Sequence, residues 1–135
     1  MTTKLFRVIL PVTDIEKGIP GKRVSSGRHY FDCGGTILAC FDPKADGDDF
    51  VLGPNPDRIY FAVDDLEQKF AVARDALSSS PSEIKVRPWG ERSFYMKDPF
   101  GNKICFVDEK TMFTGLMCNI VLINRTMRYR TLLPR

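Results

Sequence analysis

One pattern occurs twice in this chain. "RVILPVTDIEK" from Arg7 and "RIYFAVDDLEQ" from Arg58 carry Arg, an apolar stretch, Val, Asp, Ile or Leu, and Glu at the same offsets. "YFDCGGTILACF" from Tyr30 and "YMKDPFGNKICF" from Tyr95 each run ten residues from Tyr to Cys, with Phe next and glycine in between. Matches repeated in the same order point to a duplicated supersecondary unit whose copies bury their faces together. At 135 residues the whole is expected to form one domain.

The second copy is the more regular. "RIYFAV" is β-branched and aromatic, as a strand requires. Asp64 or Asp65 can cap a helix, in which Leu66, Phe70, Ala73 and Leu77 share one face. "SSSPS" ends that helix. "EIKVRPW", "RSFYMK" and "KICFVD" follow as strands. "DPFGN" between the last two, with Pro second and Gly fourth, is a type I turn closing a hairpin. The order is β-α-β-β-β.

The first copy has the same strands in "LFRVILPV", "GKRVSS", "RHYFDC" and "TILACF". Its helix is nearly absent. Thr13 is placed to cap a helix, with Glu16 completing a capping box, but Gly18, Pro20 and Gly21 follow at once. Arg7 to Tyr30 is 23 residues and Arg58 to Tyr95 is 37, so 14 residues are missing where the helix should run. That absence predicts an uncovered apolar sheet face. The tail, a partner subunit or a domain swap is expected to cover it.

Composition narrows the function classes. A net charge of +3 is too small to imply nucleic acid. The four arginines of residues 116–135, with no acid among them, leave the first 115 residues at −1. Cys33, Cys40, Cys105 and Cys118 form no CxxC pair, and His29 is the one histidine, so no zinc-type cluster assembles. A lone histidine beside a strand is expected at the surface or hydrogen-bonded. "MTTKLFRV" lacks a signal-peptide pattern, and "IVLI" is too short to span a bilayer. The expectation is a cytoplasmic protein with reduced thiols and no membrane partner. Neither a catalytic triad nor a phosphate-binding glycine motif is present.

Strand, "VxD(I/L)E" helix start and Gly-turn hairpin, all twice and closing on "RPWGERSFYMKDPFGNKICFVDE", resemble the vicinal oxygen chelate superfamily of glyoxalases, bleomycin resistance proteins and extradiol dioxygenases. The likeness covers about residues 4–112 and is greatest to the bleomycin-resistance-like branch. It implies an α+β fold of two βαβββ modules, about 4–45 and 57–110, with sheets curled around a cleft, the first module's helix truncated. A glyoxalase-like domain over 1–115 would then precede a basic extension, 116–135. Dimerisation, which usually completes the cleft, implies a homodimer, with or without a domain swap.

Family members often hold a divalent metal with a His from each module's first strand and a carboxylate from each last strand. Residue by residue, the His positions fall on Arg7 and Arg58. One carboxylate position falls on Cys105. The repeat places the other on Cys40, or on Ala39 if the register slips by one. Arginine offers only donors and stays protonated, so it cannot bind a cation. No metal or other cofactor is therefore expected.

If those positions face the cleft, Arg7 and Arg58 either pair with carboxylates or reach solvent as anchors, or they grip an anionic or polar small molecule. Trp89 packs in the core or walls the cleft. Phe94 and Tyr95 face opposite ways, and one of them sees the cleft. The expected ligand-binding set is Arg7, Arg58, Cys40, Cys105, Trp89 and Tyr95, with no catalytic residue. The function expected is metal-free small-molecule binding; a superfamily enzyme (lyase, isomerase or dioxygenase) and a fold-only interaction protein are the alternatives. The tail is an added strand on an open sheet edge or a second subunit, a basic segment for an acidic partner or membrane surface, or a stretch foreign to the domain.

Overall fold

Each copy of the repeat builds its own four-stranded mixed sheet, and the two sheets have the same topology. The structure, a computed structural model, describes residues 4–18, 21–76 and 80–114 and the backbone of strands at 117–123 and 126–132. In module one, β1 (Arg7–Pro11), β2 (Lys22–Ser25), β3 (Arg28–Cys33) and β4 (Thr36–Phe41) are ordered β1-β4-β3-β2. In module two, β5 (Ile59–Val63), β6 (Lys85–Val86), β7 (Arg92–Lys97) and β8 (Lys103–Asp108) are ordered β5-β8-β7-β6. First and last strands of each module pair in parallel, and the others antiparallel. The fold is α+β, with one α-helix among the described residues, and the sheets do not close into one.

That helix, α1 (Leu66–Ala76), lies between β5 and β6. Asp65 caps it, its Oδ1 accepting from the Gln68 N–H at 3.0 Å. Leu66 and Ala73 are buried with Phe94 of β7, and Phe70 and Phe106 pack around them. Leu77, the last member of the expected stripe, lies outside the described residues. Arg92 ties helix to sheet, pairing with Glu67 of α1 and, at 3.5 Å, with Asp108 of β8.

Module one makes a single turn where α1 would be. The Lys17 and Gly18 N–H groups bond to the Asp14 and Ile15 carbonyls at 3.2 and 3.3 Å. The cap is Asp14 rather than Thr13: its Oδ1 accepts from the Glu16 N–H. A side chain two residues upstream satisfies this donor, so the expected capping box is not formed.

Part of the face left by the missing helix is covered from module two, a source the sequence did not suggest. Leu10, Val12, Leu38 and Cys40 are buried there with Ile15 from the single turn. Ile59, Phe61 and Phe100 of module two pack against them. Among the described residues module two thus supplies part of the cover, although a cavity of about 590 Å³ remains between Val8, Leu38, Ile59 and Phe106. His29 lies opposite Cys40 across β3 and β4. It is buried, and neither ring nitrogen has a hydrogen-bond partner among the described residues, so it is neither at the surface nor hydrogen-bonded as the sequence led us to expect.

The strands β9 (Met117–Ile123) and β10 (Thr126–Leu132) pair with each other as a separate two-stranded sheet. Among the described residues they do not extend the edge of either module's sheet, which corrects the reading of the tail as a strand added to this chain's own sheet edge. Among the described residues no helix is long and apolar enough to cross a membrane.

Module one also carries a built-in acid sensitivity. The Asp46 carboxylate accepts from Ser25 Oγ at 2.8 Å and from the Gly27 N–H, with Arg28 Nε at 3.5 Å. The Ser25 bond is the largest of the influences that hold its carboxyl below the ordinary value, and Gly27 and Arg28 add to it against partial burial. A depressed folded value means a contribution fully present above the unfolded value and lost as pH falls through the folded one. The difference in thermal midpoint between native protein and Asp46→Asn should therefore shrink as pH falls from about 5 to about 2. A constant difference across that range would show that Asp46 acts without its charge.

Candidate functional site

Side-chain alternation decides what sheet two presents on the face away from α1. Phe94 and Phe106 point toward the helix. Tyr95 opposes Cys105, and Cys105 opposes Tyr60, so these three share the other, open face. One step along the strands, Ser93, Val107 and Ala62 form the next row. Phe94 is fully buried, and Tyr95 is the member of that neighbouring pair that sees the open face.

Tyr95 is held between two guanidinium groups. Arg58, leading into β5, and Arg87, just after β6, each lie 4.2 Å from its ring centroid. Those strands flank β8 and β7 on opposite sides. Arg87 is fixed further by bonds from Nε to Ser93 Oγ (2.9 Å) and from Nη2 to the Ser93 carbonyl (3.2 Å). Arg58 has no ion pair among the described residues, so its N–H groups remain available while the guanidinium sits over the ring. Cys105 lies beneath, buried. Burial pushes its thiol above the ordinary value, opposed by the Ser93 hydrogen bond and the charges of Arg87 and Arg58. It is a neutral thiol at neutral pH rather than a ready nucleophile or ligand.

The register also settles how the two copies correspond. In module two Cys105 opposes Tyr95, but in module one Tyr30 opposes Ala39, not Cys40. The cause is turn length. The β3–β4 hairpin closes with Gly34 and Gly35, both at positive φ, whereas residues 98–102 close β7–β8. An even loop against an odd one shifts the pairing by one residue, and a one-residue shift sends a side chain to the other face. Cys40 therefore belongs to the core of module one, and the alternative, Ala39, takes the position equivalent to Cys105.

These positions do not suit the divalent metal that the resemblance brings to mind. Module one offers Arg7 and a donorless Ala39, and module two offers Arg58 and a thiol held neutral beside two guanidinium groups. Such a set repels a dication. Among the described residues no three His, Cys, Asp or Glu side chains gather as a ligand group. Arg7 stacks on rings of its own module, 5.2 Å from Phe6 and 5.0 Å from Tyr30.

Trp89 stands at the rim of the open face and is 59% exposed. It occupies the third position of a turn in which the Gly90 N–H bonds to the Arg87 carbonyl at 2.9 Å, with Gly90 at φ 95°. Its indole N–H donates to Glu91 Oε1 at 2.7 Å, and Glu91 Oε2 accepts from the Phe113 N–H at 3.4 Å. A cavity of about 430 Å³ lies below, lined by Tyr60, Ala62, Trp89, Val107, Met112 and Phe113 among others. Arg87, Tyr60, Met112 and Phe113 were not singled out from sequence. The strand expected over "EIKVRPW" is only Lys85–Val86, and Trp89 sits in the turn beyond it; the signal that could have shown this is "RPWG", which has the same Pro-aromatic-Gly form as "DPFG".

Solved structures share the fold of the two modules. A glyoxalase/bleomycin resistance protein/dioxygenase superfamily member from Sphaerobacter thermophilus matches at TM-score 0.58 and 17% identity, over 79% of this chain and 98% of its own. A bleomycin-binding protein complexed with bleomycin matches at TM-score 0.53 and 16% identity, over 80% of this chain and 99% of its own. The chain has the glyoxalase/bleomycin-resistance fold. A lactoylglutathione lyase from Agrobacterium tumefaciens shares that fold at TM-score 0.53 and 20% identity, over 80% and 95% of the two chains. No protein-family model and no curated protein matches the sequence. In this chain the first module's helix is a single turn, and arginine leads the first strand of both modules.

Proposed function

We propose that the chain binds a small molecule on the open face of sheet two, without a metal ion. Trp89 carries this reading. A large aromatic side chain that is mostly exposed yet fixed by a hydrogen bond above an apolar cavity costs little entropy to engage a ligand. Tyr60 supplies a second ring, and Tyr95 with Arg58 a polar margin. The fold neighbour complexed with bleomycin adds weight to a binding role, as does Cys105 being a buried thiol pushed above its ordinary value rather than a ready nucleophile.

Trp89 is the chain's single tryptophan, so its emission reports on this site alone. The neutral aromatic probe N-phenyl-1-naphthylamine should quench it saturably, at one molecule per chain. Trp89→Ala should weaken binding of the same probe, followed by its own fluorescence, about tenfold, as removal of an aromatic anchor does. Equal affinity in Trp89→Ala, or no saturable binding to the native protein, would refute the assignment.

A further inference from the structure

Extending the rows of the open face one step toward the β7–β8 turn brings three cations into line. Lys103 opposes Lys97 in the β7–β8 ladder. The β5–β8 register, continued one residue past Ile59–Ile104, sets Arg58 opposite Lys103. Across three adjacent strands the open face therefore carries a cationic row (Arg58, Lys103, Lys97), then an aromatic row containing Tyr60 and Tyr95, then the small row of Ala62, Val107 and Ser93. All three cations line one cavity of about 300 Å³ together with Tyr95 and the Ser80 and Ser82 side of the chain, and every charged residue in that lining is a cation. Arg58 and Lys103 have no ion pair among the described residues; Lys103 Nζ donates to the Pro56 carbonyl at 3.3 Å. The opposite end of the face holds Glu91, already engaged by Trp89.

We infer that the ligand of this face is an amphipathic anion, with one carboxylate, sulfonate or phosphate head at the row of Arg58 and Lys103 and an apolar, preferably planar, body over Tyr60 and Trp89. Strand geometry gives the dimensions: residues two apart on one face are about 7 Å apart, so the head and the centre of the body are separated by that much or somewhat more. The polarity of the face fixes the orientation, because the Glu91 carboxylate repels the head from the Trp89 end. The Tyr95 ring, 4.2 Å from the Arg58 guanidinium carbon, restrains that group, so bidentate contact costs it less further ordering. Two cations side by side across a sheet are otherwise an unfavourable cross-strand pair, and an anion relieves it.

This inference rests on the open face being a small-molecule site, and the test separates the two claims. The intact protein is titrated, at low salt, with 8-anilinonaphthalene-1-sulfonate and with neutral N-phenyl-1-naphthylamine, which share an aromatic skeleton; quenching of Trp89 is followed. The sulfonate should bind at least about tenfold more tightly, the scale of one charge-assisted pair. Arg58→Ala combined with Lys103→Ala should abolish that preference, read as the ratio of the two probes' affinities in the same variant. Lys44→Ala, an exposed cation on the 3-10 turn of module one, should leave the preference intact. No preference in the native protein, or one that survives loss of Arg58 and Lys103 or falls equally with Lys44→Ala, overturns the anion subsite and leaves the apolar site standing. Failure of the neutral probe to quench Trp89 saturably overturns the open-face site and this inference with it.

Discussion

Asn102→Ala is expected to lower the unfolding free energy by about 3 kcal/mol, with buried polar groups left unpaired. Asn102 is fully buried. Its Nδ2 donates to the Pro11 carbonyl at 2.7 Å and to Asp98 Oδ2 at 2.8 Å, and its Oδ1 accepts from the Asn55 N–H at 2.9 Å. One amide therefore joins the end of β1 in module one, the segment linking the modules, and the β7–β8 turn of module two. Truncation orphans the Pro11 carbonyl in a dry environment and strands the Asn55 N–H; each such group costs about 1–3 kcal/mol. Asn102→Asp keeps the volume but points an oxygen at the Pro11 carbonyl and at the Asp98 carboxylate. It should be as destabilising at neutral pH and partly recover on acidification, when the paired carboxylates share a proton. Urea unfolding at neutral and acidic pH measures both. A loss under about 1 kcal/mol for Asn102→Ala would mean that the junction does not depend on this amide.

The duplicated module and its strand order were legible in the sequence because both rest on local chemistry. Alternating apolar residues, the Asp65 cap and the "DPFGN" turn act within a few residues of themselves. What was not legible depends on parity and on distant partners. Whether Cys40 or Ala39 matches Cys105 turns on one hairpin loop having an even and the other an odd number of residues, and equal Tyr–Cys spacing conceals that difference. Likewise the cover for module one's sheet comes in part from Ile59, Phe61 and Phe100, which belong to the other module and whose destination no local pattern records. For the site, the family resemblance pointed to Arg58 and Cys105, and strand alternation to Tyr95 or Phe94. Arg87 has no repeat counterpart, and it reaches Tyr95 only because β6 pairs beside β7. The cationic row is of the same kind: Arg58, Lys97 and Lys103 are dispersed in sequence and become neighbours through register alone.

Phe94→Ala should destabilise by about 3–5 kcal/mol, the range for truncating a buried phenylalanine, whereas Tyr95→Ala, one residue on, should cost well under half of that. The two side chains leave β7 on opposite faces. Phe94 is fully buried, meets Phe70 edge-on at 5.3 Å between centroids and lies 5.4 Å from Phe106, so its loss opens a cavity where α1 joins the sheet. Tyr95 is only half-buried, its ring bounded by guanidinium groups that can follow it into solvent. The effects on binding should invert. With its ring gone, Arg58 loses the surface that holds its N–H edge in place, so Tyr95→Ala should abolish most of the preference for an anionic aromatic probe over its neutral analogue. Phe94→Ala, measured at a temperature where it remains folded, should retain that preference. Chemical denaturation and probe titration of the same two variants give all four numbers. Equal stability losses would mean that β7 does not separate a structural face from a binding face, and loss of the preference in Phe94→Ala but not in Tyr95→Ala would place the anion's head elsewhere.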